Sequence, residues 1–205
     1  MLRIRLICPI IIPVVVIGGL IYPILGYLLL LDMLLLIGIS PSKGRWFCGN
    51  LCSRGIFNDL VLSKISRKIK IPKLFYNSGF RIALLIIMMG FMVFRIIGSE
   101  GVFVKLGGIF VGIYIMQTLI ISVIAIFVSP RAWCQICPAG TLQRLFDLKK
   151  NTIVVDKEKC IDCGLCSKVC PMHLKVNEIK YKPDCIKCGR CIDVCPKNAL
   201  KYSRQ

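Results

Sequence analysis

The sequence predicts an α-helical integral membrane domain of three to four passes followed by a small α+β domain organised by cysteines. Three observations predict it. Hydrophobic residues make up 56% of the 205, and mean hydropathy is +0.74, too apolar for one soluble domain of this size. Long stretches almost free of charge run through the first two thirds of the chain. The last third repeats a four-cysteine run twice in register. The two parts are assigned to residues 1–150 and 151–205.

Residues 6–39 contain one charge, Asp32. As one straight helix these residues would be about 51 Å long, against a hydrocarbon core of about 30 Å. Pro9, Pro13, Gly18, Gly19 and Pro23 lie in the first half, so a break is expected there, with residues 20–39 as a regular crossing. The first half is then a short crossing or a re-entrant segment, and the whole stretch a broken hairpin. Residues 82–98 and 106–128 are two further apolar runs, each near the ~20 residues a crossing needs. The start, Met1-Leu2-Arg3-Ile4-Arg5, has the charge of a secretory signal. The apolar run after it is too long and ends in no small-residue cleavage site, so it is read as retained. Cys8 reads as a small buried hydrophobe.

Residues 40–81 carry nine Lys or Arg and one acid, whereas residues 99–105 have one charge of each sign. The positive-inside rule makes the first segment cytoplasmic and the second external, and two crossings return the chain to the cytoplasm at Ser129. Residues 40–81 and everything after Ser129 therefore share one side, however residues 6–39 are arranged. Arg3 and Arg5 favour an inside N-terminus and four passes, with three passes as the alternative. The expected location is a prokaryotic cytoplasmic membrane, with the C-terminal domain on the cytoplasmic side.

In the last third, Cys160-x2-Cys163-x2-Cys166-x3-Cys170-Pro171 is repeated as Cys185-x2-Cys188-x2-Cys191-x3-Cys195-Pro196. Such spacing brings three thiolates to one [4Fe-4S] cube, while the fourth, before proline, crosses to the cube of the other half. A zinc site would use four ligands without the crossed cysteine. The rule assigns Cys160, Cys163, Cys166 and Cys195 to one cluster and Cys185, Cys188, Cys191 and Cys170 to the other. This third resembles bacterial dicluster ferredoxins, which implies a repeat of strand, cysteine loop and short helix. Residues 152–155, 179–182 and 199–202 read as the strands, and residues 165–169 and 190–194 as the helices.

Two more pairs follow membrane segments: Trp46-Phe47-Cys48-Gly49-Asn50-Leu51-Cys52-Ser53-Arg54-Gly55 and Arg131-Ala132-Trp133-Cys134-Gln135-Ile136-Cys137-Pro138-Ala139-Gly140. They read as diverged copies of one motif on one membrane face. Cys48, Cys52, Cys134 and Cys137 are thus candidate ligands of a third iron-sulfur cluster at headgroup level, where the neighbouring tryptophans also belong. A structural zinc site, free thiols or disulfides are the alternatives, the last disfavoured in a reducing cytoplasm. With these motifs in place, the chain resembles the membrane polyferredoxins related to NapH-type quinol dehydrogenase subunits and to the membrane halves of the NosR and CcoG types. The resemblance implies four membrane helices, two Cys-x3-Cys-Pro motifs at the cytoplasmic face and a C-terminal dicluster ferredoxin. Two positions depart from that pattern: Ser53 stands in place of proline, and Cys134 and Cys137 are separated by two residues instead of three.

The only histidine is His173, so a bis-histidine haem has no ligands here, and His173 itself reads as a surface loop residue. No nucleotide fingerprint or hydrolase nucleophile motif occurs, so no catalytic site is evident and the chain is expected to move electrons only. Asp32, an acid within a leucine-rich run, is a candidate for a proton or quinone role. Tyr114, Gln117 and Thr118 form a polar face better suited to helix packing than to a quinone pocket, and Arg95 is expected to snorkel outward. Residues 56–72 mix apolar residues with lysine and arginine and read as interfacial.

The formal charge is +18, and residues 143–205 alone carry fourteen basic residues against seven acids. Part of this excess offsets negative clusters; the rest suits anionic lipid or an acidic donor such as a soluble ferredoxin or flavodoxin. Nucleic-acid binding is not expected, since no recognition fold is visible. The function expected is relay of single electrons between a quinone pool or membrane partner and a cytoplasmic redox protein, within a multi-subunit assembly. The alternatives are an accessory electron donor for cofactor assembly or enzyme maturation, and a structural anchor.

Overall fold

The computed structural model describes residues 8–98, 103–147, 151–178 and 183–204. Residues 6–39 do form a helical hairpin from Cys8 onward. Helix α1 (Ile11–Ile21) rises through a π-helical middle, the chain turns at Tyr22 in extended geometry, and α2 (Pro23–Lys43) returns. The turn falls where proline dictates. The residue before Pro23 is pushed out of the α region, and Pro23 itself needs no amide partner at a helix start. Residues 20–39, expected as the regular crossing, are thus replaced by Pro23–Lys43. The helix runs on through Pro41, whose ring sits in the last turn, and ends at Gly44 with φ +53°. At 11 residues α1 rises only about 16 Å.

Two short helices, α3 (Trp46–Asn50) and α4 (Ser53–Leu60), follow at the foot of α2. Then come α5 (Ser78–Ile97), capped by the Asn77 side chain accepting from Gly79 N at 2.9 Å, and α6 (Phe103–Phe127). Helices α2, α5 and α6 are each long and apolar enough to cross a membrane. Leu20, Ile86, Phe94 and Leu119 stand outward and exposed, as lipid-facing residues would. The hairpin meets α6 through small residues: a Cβ on Gly26 would strike the Gly107 carbonyl oxygen, and one on Gly107 would strike that of Pro23. At the other end Ile12, Val15 and Tyr114 form a buried cluster with Leu29 and Phe57.

Beyond α6 come α7 (Trp133–Ile136) and α8 (Pro138–Leu145), and then the C-terminal module. In it strand β1 (Asn151–Val155) pairs antiparallel with β2 (Leu200–Arg204), Ile153 opposite Tyr202, and the short helices α9 (Leu165–Lys168) and α10 (Arg190–Asp193) lie between them in sequence. Each short helix starts after a glycine at positive φ, Gly164 and Gly189, where a side chain would strain the backbone. These elements match the expected strands and helices to within about two residues. The third expected strand, residues 179–182, lies outside the described residues.

Residues 40–81, residues 129–147 and the C-terminal module all gather at one end of the long helices. Three buried ionic knots fasten them. Asp184 of the module faces Arg45 (3.6 Å), Arg81 (2.6 Å) and Arg144 (3.5 Å). Asp59 of α4 receives Arg131 (2.9 Å) and, from α10, Arg190. Lys187 reaches Asp147 at 3.5 Å. The module is thus fixed to the membrane domain by side chains on both partners.

Candidate metal centres

The two cysteine pairs of the membrane domain fold alike. In each, a short helix carries the first cysteine, the second sits at an N-cap, and an eight-residue helix follows. Cys52 (φ −59°, ψ 109°) and Cys137 (φ −57°, ψ 130°) have nearly the same backbone, and Ser53 and Pro138 both occupy the first helical position. The one-residue difference in spacing is absorbed within the turn. Cys52 N bonds to Phe47 O, five residues back, whereas Cys137 N bonds to Trp133 O, four back. The departures of Ser53 and of the shorter spacing therefore leave both cysteines in equivalent backbone positions, each the N-cap of an eight-residue helix.

Cys48, Cys52, Cys134 and Cys137 line one cavity. Burial pushes the Cys48 thiol well above its ordinary value and the Cys52 thiol up to about 11. Positive charge surrounds them. Arg131, with no exposed surface, grips both carboxylate oxygens of Asp59 (3.0 and 2.9 Å), donates to Cys48 O at 2.7 Å and lies 3.8 Å from Cys134 Sγ. Arg45 donates to Cys134 O. Burial works against the Asp59 carboxylate, but Arg131 and Arg190 outweigh it and hold the group below the usual range.

The donor set fits a sulfur-rich cluster. Among the described residues, four buried side-chain nitrogens lack an acceptor: Arg45 Nε, Trp133 Nε1, Gln135 Nε2 and Gln143 Nε2. All belong to residues around these cysteines, and cluster sulfides and thiolates are acceptors. At Gln143 the fit is specific. The Cys48 thiol donates to Gln143 Oε1 at 2.8 Å, and a half-turn of the amide would offer the unpartnered Nε2 to a thiolate instead.

In the C-terminal module Cys160, Cys163, Cys166 and Cys195 line one cavity, and Cys170, Cys185, Cys188 and Cys191 another. Burial raises Cys185 to about 11 and Cys191 to about 12. The second cavity abuts the membrane-side cysteines. Met172 and Ile186, each 1% exposed, form one apolar cluster with Cys48 and pack against Cys134 on one side and Cys170 and Cys188 on the other. Gly49 makes the approach possible, since a Cβ there would collide with the Ile186 carbonyl oxygen. Asn50 Nδ2 donates to Lys187 O at 3.3 Å, holding the loop that carries Ile186, and Tyr76 OH donates to Met172 O at 3.1 Å, holding the loop after α9.

On the membrane side the cavity of the four cysteines, about 210 Å³, continues between α2 and α6 to Asp32, Arg54, Tyr114 and Gln117. Arg54 donates to Gln117 Oε1 at 2.6 Å and lies 4.6 Å from the centre of the Tyr114 ring, whose hydroxyl meets Ser53 Oγ at 3.3 Å. Tyr114 and Gln117 thus face a cavity as well as a helix. Thr118 bonds back to Tyr114 O within its own helix. His173 is exposed, with Nε2 3.2 Å from Ser129 Oγ; its side chain does not line the cavities that gather the cysteine sets, although its amide donates to Cys170 O at 3.0 Å. Arg131, Gln143, Gly49 and Arg45 were not singled out from sequence. The only signal that could have found them is their place beside or between the paired cysteines.

Comparison with known proteins matches these same segments. The family described as "4Fe-4S binding domain" matches residues 25–72 and 110–152, the stretches that carry the two membrane-side pairs. The "4Fe-4S dicluster domain" family matches residues 152–196. Two uncharacterized proteins of Methanocaldococcus jannaschii, MJ0749 and MJ0750, are 26% and 27% identical. Each match covers 85% of this chain, with 70% and 79% of theirs. The protein YccM of Escherichia coli, named as a putative electron transport protein, is 29% identical over 32% of this chain and 18% of its own. No solved structure matches.

Proposed function

We propose a route for electrons through a chain that is itself an iron-sulfur electron-transfer protein with two [4Fe-4S] clusters. In this reading Cys160, Cys163, Cys166 and Cys195 hold one cluster of the C-terminal module, and Cys185, Cys188, Cys191 and Cys170 hold the other. Cys48, Cys52, Cys134 and Cys137 hold a third, at the membrane interface. Each cluster, when bound, supplies one-electron carriage. The protein's own residues bury the sulfurs, exclude water, and balance charge with Arg45 and Arg131. The membrane-side carrier is of the quinone class, its ring in the cavity lined by Asp32, Arg54, Tyr114 and Gln117. The other end serves a redox protein on the positive-inside, cytoplasmic face. The narrower resemblance to NapH-type subunits points the same way.

The observation that carries this reading is the apolar contact of Met172 and Ile186 with cysteines of both sites, which packs side chains directly between the two sites at that point. The test is anaerobic iron and acid-labile sulfide per chain, with EPR during a redox titration. About twelve irons and three titrating signals are expected, falling to about eight irons and two signals in Cys48→Ser/Cys134→Ser. About eight irons in the unaltered protein would remove the third cluster and the wire with it.

A further inference from the structure

An open groove of about 800 Å³ runs between the membrane-domain foot and the C-terminal module. One wall is segment 66–71, pinned to the end of α6 by Arg67 N to Ile126 O at 3.0 Å and Ile69 N to Val128 O at 2.7 Å. It brings Lys68 and Lys70. The opposite wall is α9 and the loop after it, with Lys168 and Lys175, and the floor includes Cys170. Charge in the groove is one-sided. Lys68, Lys70 and Lys168 are exposed and have no acidic partner among the described residues. The one acid of the lining, Asp59, is already held by Arg131 and Arg190.

We infer that this groove is the docking site of an acidic soluble one-electron carrier protein of the ferredoxin or flavodoxin type, which exchanges electrons through the cluster held by Cys170. The inference rests on the proposed electron relay and gives its water-side end a place. Charge complementarity selects the occupant. A lipid headgroup at the membrane surface would meet Lys68 and Lys70, but Lys168 stands on the module across the groove. An acidic protein face is broad enough to meet both walls at once. The second reason is the floor, because Cys170 there puts a carrier's redox centre beside a ligand of the wire. Steering by such a patch raises association rates by about 10 to 10³-fold at low salt.

The test uses the full chain with its clusters, in discs of uncharged lipid, mixed by stopped flow with a reduced acidic dicluster ferredoxin. Wild type should be reduced at a rate that falls steeply with salt. Lys68→Glu/Lys70→Glu/Lys168→Glu should lose about tenfold or more at low salt and most of the salt dependence. Its iron content and its reduction by dithionite should be unchanged. Lys157→Glu/Lys201→Glu, exposed positions outside the groove, should stay within about twofold of wild type. An unaltered rate in the triple variant overturns the docking site while leaving the relay standing. So does a variant that loses only binding to anionic vesicles, which would make the groove a headgroup cleft. Clusters that no donor reduces would overturn the relay itself.

Discussion

Arg131 is the residue whose removal should cost most outside the cysteines. It has no exposed surface, and Asp59, its bidentate partner, has a side chain only 8% exposed. Truncating one member of a buried ion pair costs about 3–5 kcal/mol, because the other charge is left in a poor solvent. In Arg131→Met, Arg190 still reaches Asp59 from a position 38% exposed, so the loss belongs at the lower end, about 3 kcal/mol. Asp59→Leu strands a fully buried guanidinium and should cost more. The double variant removes both charges and forfeits mainly the bond to Cys48 O, about 1–2 kcal/mol. It should therefore be more stable than either single variant, a coupling only a true buried pair produces.

For a chain of this length, 1 kcal/mol moves the midpoint of thermal unfolding by about 2–4 °C. Arg131→Met should fall by about 6–12 °C and the double variant by about half as much, read in detergent with the clusters in place. Arg131→Lys keeps the charge but not the fork, and should lie between wild type and Arg131→Met. A double variant no better than the worse single would refute the reasoning, for it would mean that the pair is not what stabilises this corner.

Three further outcomes are expected. Gly49→Ala, whose Cβ would strike the Ile186 carbonyl, should push the module loop away and slow electron exchange between the interfacial cluster and the module, with iron content unchanged; unaltered exchange kinetics would count against the contact. Gln143→Leu removes the amide that meets Cys48 Sγ, and should lower the midpoint potential of the interfacial signal while leaving the two module signals in place; an unmoved potential would mean the amide does not reach the thiolate. Stripping the clusters should make stability depend on alkaline pH. Folding raises Cys52, Cys185 and Cys191 above the unfolded thiol value of about 8.5, so their contribution is present below that pH and lost as pH rises towards 11–12. The intact protein, with its thiolates ligated, should show a flat profile there; equal slopes for both forms would refute this.

Sequence made legible what is periodic or motif-like. The eight module cysteines have a spacing that dictates which four can meet, and the cavities gather them in those sets. The hairpin was readable because prolines and glycines cluster in one half of an overlong apolar run. Its turn was placed too early because several breakers competed, and Pro23 prevailed by forcing Tyr22 out of helical geometry. The ionic knots were not readable at all. Arg81 and Asp184 are 103 residues apart, Arg131 and Asp59 are 72 apart, and no period or spacing links such partners. Ser53 and the two-residue spacing of Cys134 and Cys137 looked like departures from the motif. Sequence alone does not show that both cysteines cap a helix, which makes the copies equivalent.

The distribution of buried charge ties these findings together. Arg45, Arg81 and Arg131 are each 1% exposed or less, and with Arg144 and Arg190 they converge on only two carboxylates, Asp59 and Asp184. Three buried guanidinium groups and two partly exposed ones on two acids are an unfavourable balance for a protein without bound anions. Thiolates holding the proposed interfacial cluster would reverse the balance, because that cluster would bring net negative charge to where Arg131 and Arg45 already point at the backbone and sulfur of Cys48 and Cys134. In the proposed reading, holding the module on the membrane domain and compensating the interfacial cluster would be one task for one set of side chains. The same cations would favour the reduced form of a cluster there, and so would raise the potential at the membrane end of the proposed path.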